Sequence, residues 1–73
     1  METISFHGEY ILLGQFLKLA DCIDTGGQAK PFLQTHAIRV NGELENRRGR
    51  KLYPGDRVDI EGFGEFRLVQ SPH

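Results

Sequence analysis

The sequence predicts a small α+β domain in which two short helices pack on one side of an antiparallel β-sheet. Three observations carry this expectation: an amphipathic helical stretch from Leu13, a hairpin signature at Asn41-Gly42, and a clean polar–apolar alternation over residues 57–61. The expected order is strand, helix, helix and then a run of short strands, with residues 1–73 forming one unit. A chain of this length buries only about 60% of its unfolded surface, which leaves no material for a second domain.

Thr3-Ile4-Ser5-Phe6 alternates and reads as a strand ended near Gly8. From Leu13 the apolar positions Phe16, Leu17 and Ala20 follow the i, i+3, i+4, i+7 rule, with Gln15 and Lys18 facing away. Residues 13–21 are therefore expected to be helical, with Leu12, Leu19 and Ile23 widening the buried stripe. A second helix opens at Thr25, whose hydroxyl is placed to cap the Gln28 amide while the glutamine side chain reaches back. Pro31 lacks a backbone donor, so the start of this helix slips toward Gly27 or its first turn is distorted. It runs to about Thr35, and His36 follows where glycine is common.

Both central residues of a type I′ turn need positive φ, which Asn41 and Gly42 tolerate, so residues 37–40 and 43–44 form a hairpin. Tyr53-Pro54-Gly55-Asp56 is a turn with proline at its second position and glycine at its third, as type II requires. Gly62-Phe63-Gly64 turns the chain once more, and Phe66 with Leu68 marks a last strand. The expected core draws on Ile4, Leu13, Phe16, Leu17, Ala20, Phe32, Leu33, Ile38, Val40, Leu44, Leu52, Val58, Ile60, Phe66 and Leu68. Little apolar material is left for a substrate pocket.

Nine Lys and Arg against ten Asp and Glu exclude a generic polycation, but the charges are segregated. In residues 1–29 Lys18 stands against Glu2, Glu9, Asp21 and Asp24, a net of −3. In residues 30–57 Lys30, Arg39, Arg47, Arg48, Arg50, Lys51 and Arg57 oppose Glu43, Glu45 and Asp56, a net of +4. Four of the five residues from 47 to 51 are cationic and Gly49 lets the backbone bend, so this stretch can track a phosphodiester backbone. Arginine donates two parallel hydrogen bonds to phosphate and stacks on exposed bases. Lys30 adds a cation near the amides that open the second helix. Gly26-Gly27 permits close approach there, although by itself the pair reads as a simple turn.

Nothing in the chain suggests a nucleophile with its base or a carboxylate pair in a pocket, so no enzymatic activity is expected. Cys22 reads as a half-buried apolar residue, and His7, His36 and His73 as structural or solvent-exposed. One cysteine and three scattered histidines match no zinc spacing, and no metal or cofactor is expected. Asp21, Asp24, Glu43 and Glu45 read as solvated faces. The longest apolar run, residues 10–13, is far too short to cross a bilayer, and the N-terminus lacks a secretory pattern, so a cytoplasmic protein is expected.

Several segments together resemble one family: Gly14-Gln15-Phe16-Leu17-Lys18-Leu19-Ala20-Asp21, Gly26-Gly27-Gln28-Ala29-Lys30, Val40-Asn41-Gly42-Glu43, Arg47-Arg48-Gly49-Arg50-Lys51-Leu52 and Gly55-Asp56-Arg57-Val58. Over about residues 13–62 the chain is similar to the S4 RNA-binding domain, and most like the small stand-alone S4 proteins of bacteria, the YaaA and YbcJ group. The resemblance implies a cytoplasmic, non-catalytic module that presents one basic surface to structured RNA, often ribosomal, and a monomer is expected. It places Lys30, Arg47, Arg48, Arg50 and Lys51 at the family's basic positions, with Lys18 and Gln28 extending the contact. Thr25-Gly26 stands where many S4 domains have Ser-Arg, and His36 where the wider family has glycine. DNA or a replication-related protein are the other partners that the stand-alone group suggests.

Two alternatives come from other classes. Val40-Asn41-Gly42-Glu43 with Gly55-Asp56-Arg57-Val58 is also similar to the β-grasp sulfur carriers, whose C-terminal Gly-Gly is replaced here by Gln70-Ser71-Pro72-His73. The other is a protein-interaction module whose basic patch docks an acidic partner.

Overall fold

The alternation expected over residues 57–61 is present in the computed structural model, which describes residues 1–72: the strand Arg57–Ile60 points Val58 and Ile60 inward and Arg57 and Asp59 outward. Seven strands and two α-helices follow in the order β1 (Glu2–Phe6), β2 (Ile11–Leu12), α1 (Leu13–Leu19), α2 (Ala29–Thr35), β3 (Ile38–Val40), β4 (Glu43–Leu44), β5 (Lys51–Leu52), β6 (Arg57–Ile60) and β7 (Gly64–Gln70). β1, β7, β6, β3 and β4 form one sheet in that order, and β2 with β5 forms a separate two-stranded ribbon. The α+β class is as expected. The sheet, however, is mixed: β1 runs parallel to β7, Glu2 beside Phe66 and Phe6 beside Gln70. Short turns force antiparallel pairing only between strands that are neighbours in the chain, and β1 and β7 are its first and last.

Helix α1 buries Leu13, Phe16 and Leu17, and α2 buries Ala29, Phe32 and Leu33, against the inward residues of β3, β6 and β7. The Phe16 and Phe66 rings meet edge to face at 5.6 Å. Phe6, Ile11 and Ala29 join the core beyond the expected set, Ile23 is buried as expected, and Ile4 and Ala20 are only partly buried against it. Leu44 leaves it, being 66% exposed, because it lies opposite Arg39 on the outer face of the sheet. Leu19, expected to widen the buried stripe of α1, is also exposed.

Both helix ends differ instructively from expectation. α1 stops at Leu19 in a Schellman arrangement, with the Cys22 amide donating to the Leu17 carbonyl and the Asp21 amide to that of Lys18. Asp21 takes the left-handed position at φ 63°, which a short polar side chain tolerates. The chain enters α2 through a 3₁₀ turn, Gly26–Gln28, so Pro31 falls in the first turn of α2 where a missing donor is harmless. Gln28 reaches back as anticipated, its Oε1 accepting from the Asp24 amide at 2.6 Å and the Thr25 amide at 3.0 Å. His36 is extended, at φ −126°, so the position makes no demand for glycine.

The Asn41-Gly42 turn has φ 52° and 89°, as type I′ pairing of Val40 with Glu43 requires. Asn41 also bonds beyond its own hairpin: its Oδ1 accepts from the Arg57 amide at 3.0 Å and its Nδ2 donates to Asp56 at 3.1 Å. The turn at Gly55, φ 94°, is thereby tied to the hairpin. Asn41→Ala removes both side-chain bonds and puts a less tolerant residue at positive φ, so urea unfolding should show it destabilised by about 2 kcal/mol.

Candidate nucleic-acid interface

A helix begins with backbone amides that have no partner within it. In α1 two of these are satisfied by the basic stretch itself: the Leu13 amide donates to the Arg50 carbonyl at 2.8 Å, and the Gly14 amide to the Arg48 carbonyl at 2.9 Å. Gln15 accepts from the Leu12 amide at 3.0 Å and completes the turn. The ribbon just outside makes this possible, since Ile11 pairs with Leu52 and Leu12 with Lys51, with Ile11 and Leu52 both buried. A Cβ on Gly14 would lie 3.5 Å from the Ala29 Cβ, the Arg48 Cβ and the Arg48 carbonyl oxygen. α1, α2 and the basic stretch therefore converge at one glycine.

Glu45, expected on a solvated face, is buried, with its side chain only 5% exposed. Arg47 grips it with two bonds, Nε to Oε2 at 2.9 Å and Nη2 to Oε1 at 3.1 Å, and Arg50 donates to Oε1 at 2.7 Å. The Asn46 and Arg47 amides also donate to Oε2. Hydrogen bonding from Arg47 is the main reason the Glu45 carboxyl is held down at about 2; burial opposes this, and Arg50 and the Arg47 amide add to it. Arg47 and Arg50, expected with Arg48 and Lys51 to track a phosphate backbone, share one carboxylate, so the three groups carry a net charge of +1. Arg47 remains 72% exposed at its side chain and Arg50 32%.

Arg48 and Lys18 come together. With Gly14, Gln15, Gly26 and Ala29 they line a shallow cleft of about 300 Å³ beside α1. Lys30 is exposed one residue beyond Ala29 without lining this cleft. Lys51 is exposed, with Nζ 4.8 Å from the centre of the Tyr10 ring. Gln28 stands apart: its oxygen is occupied by the start of α2, and it lines a different hollow with Asp24, Pro31 and Phe32. Gly14, Gln15 and Glu45 were not singled out from the sequence as site residues. The readable signal for Glu45 was an acid two and five residues ahead of two arginines.

The histidines lie elsewhere. His36 stacks on Phe32 at 4.0 Å, His7 borders a groove beside α1, and His73 lies outside the described residues. Cys22 is half-buried, and burial, followed by the charges of Asp21 and Glu2, pushes its thiol pKa up. Among the described residues no cluster of three or more His, Cys, Asp or Glu could hold a metal ion, and no helix is long and apolar enough to cross a membrane.

Glu45 titrates lower in the fold than the ordinary 4.5, so its stabilisation is complete above that value and is lost as pH falls toward 2. In urea titrations the margin of wild type over Glu45→Gln should be widest near neutral pH and should narrow steadily below about pH 4.5. Gly14→Ala should fold with wild-type stability, its contacts being ordinary, whereas Gly14→Val should melt lower because its branches meet the Arg48 backbone.

The comparisons with known proteins bear on the whole of this arrangement. A family model described as the S4 domain matches residues 4–69. The chain is also 64% identical over 66 residues to the probable ribosome maturation protein RlbA of Bacillus subtilis (strain 168), spanning 90% of this chain and 93% of that protein. The family match decides between the S4 reading and the β-grasp alternative. Because it extends from β1 to β7, and so takes in the sheet, both helices and the basic stretch, the chain belongs to the S4 domain family.

Proposed function

We propose that this domain is a non-catalytic RNA-binding module that acts as a cytoplasmic monomer and grips structured RNA, ribosomal RNA in particular. The observation that carries the reading is the meeting of Arg48 with Lys18 over a glycine-lined cleft, at a place fixed by backbone bonds to α1. Gly26, with nothing within 4 Å of an added side chain, leaves room for a bulky backbone, and Arg48 offers a planar fork to phosphate. Lys30, Lys51 and the net positive charge of the Glu45 cluster widen the field around the cleft. Recognition rests on shape and phosphate position more than on base sequence. The ribosomal assignment is supported by the relative, which bears the name of a probable ribosome maturation protein.

Four or five neutralised phosphates give a log affinity that falls against log salt with a slope of about −3 to −4.5. Fluorescence anisotropy on a ribosomal RNA fragment should return that range, and a flat response would contradict the mechanism. Arg48→Ala should weaken binding to all RNA sequences alike and reduce the steepness of the slope by about one, with the fold intact by circular dichroism. Nucleic acid that co-purifies at low salt and is removed by ribonuclease separates this reading from docking on an acidic protein.

A further inference from the structure

Tyr10 immediately precedes β2 and Tyr53 immediately follows β5, so the two stand one position beyond the Ile11–Leu52 pair. Their rings lie 5.9 Å apart at 51°, and the residues are 41% and 47% exposed. These are the only two tyrosines in the chain. Neither is needed to seal the core, because Ile11 and Leu52 on the opposite face of the ribbon are already buried. Lys51, two residues before Tyr53, shares the tyrosine face and places its ammonium over Tyr10.

Of the pair, Tyr10 also approaches the basic cleft. Tyr10 borders a groove of about 500 Å³ with His7, Ile11, Gln15, Lys18 and Leu19. Gln15 and Lys18 line the Arg48 cleft as well, so the two depressions meet across one turn of α1. A strand whose phosphates lay between Arg48 and Lys18 would reach, past Lys18, the groove that Tyr10 borders.

We propose that Tyr10 and Tyr53 form a stacking platform for an unpaired base of the bound RNA, with Lys18 and Lys51 holding its flanking phosphates. The proposal rests on the RNA reading above and narrows its ligand to RNA with a bulge or loop. Unpaired bases expose the π-faces that a duplex hides, and stacking on aromatic side chains tolerates any base.

The test uses two fluorescent RNA hairpins with identical stems, one fully paired and one carrying a bulge of unpaired adenines. Tyr10→Ala and Tyr53→Ala should each bind the bulged hairpin about 5- to 20-fold more weakly than wild type. Affinity for the paired hairpin should stay within about twofold, and the salt slope should not move because no charge is removed. Tyr10→Phe should retain wild-type binding and Tyr10→Leu should not, which separates a π-face from mere bulk. Lys18→Ala, in contrast, should reduce the steepness of the salt slope by about one. A fluorescent adenine analogue in the bulge should be quenched by wild type and not by Tyr10→Ala. Equal binding of the bulged hairpin by wild type and both alanine variants, or equal losses on both hairpins, overturns the platform alone. Wild-type protein that binds neither hairpin overturns the RNA reading itself.

Discussion

Two backbone hydrogen bonds, from the Leu13 and Gly14 amides to the Arg50 and Arg48 carbonyls, determine where the positive charge of this domain lies. A helix start can satisfy its amides with a side chain, water or an anion. Here a loop of the protein fills that role, so the head of α1 is not left open for a phosphate. Attraction for an anion must then come from side chains on the loop and on the exposed face of the helix. The arrangement also couples regions distant in the chain, since displacing the loop would expose the two amides and open the contact at Gly14.

Glu45 gives the loop its second anchor. A carboxylate this buried needs charged partners, and removing one is far more disruptive than losing a surface ion pair. Arg47 and Arg50 are therefore tied to structure, whereas Arg48 and Lys51, each following one of them, form no ion pair among the described residues. The apparent run of equivalent cations is thus an alternation: one set faces the buried acid and the other has no carboxylate partner among the described residues. Net charge along the sequence overstates what the surface offers, and orientation decides which cations count.

What could be read from the sequence was what local chemistry dictates. Asn41-Gly42 and Pro54-Gly55 were legible because positive φ restricts residue choice, and residues 57–60 because one buried face enforces a period of two. The β2–β5 ribbon was not, since two residues per strand carry no periodicity. Asp21 is exposed, as its reading as a solvated residue implies, but its role as the left-handed cap was missed because such a cap is usually sought as glycine. Leu44 misled for another reason: it continues an apolar pattern but stands on an edge strand whose partner, Arg39, faces outward. Of the candidate site, the cations were visible in the sequence and their sorting was not, because Glu45 is indistinguishable from a solvated acid until the loop folds around it.

The parallel pairing of β1 with β7 has a bearing on how the molecule is made. These strands are joined by almost the whole chain, and their contacts are among the least local that a domain of this size can form. During synthesis β1 emerges before the other strands of this domain yet has no partner until β7 has been made, whereas the β3–β4 hairpin and the helices can organise from their own neighbourhoods. The earliest strand to emerge is in this sense the last to settle, and closure of the sheet doubles as a check that the chain has been completed through β7.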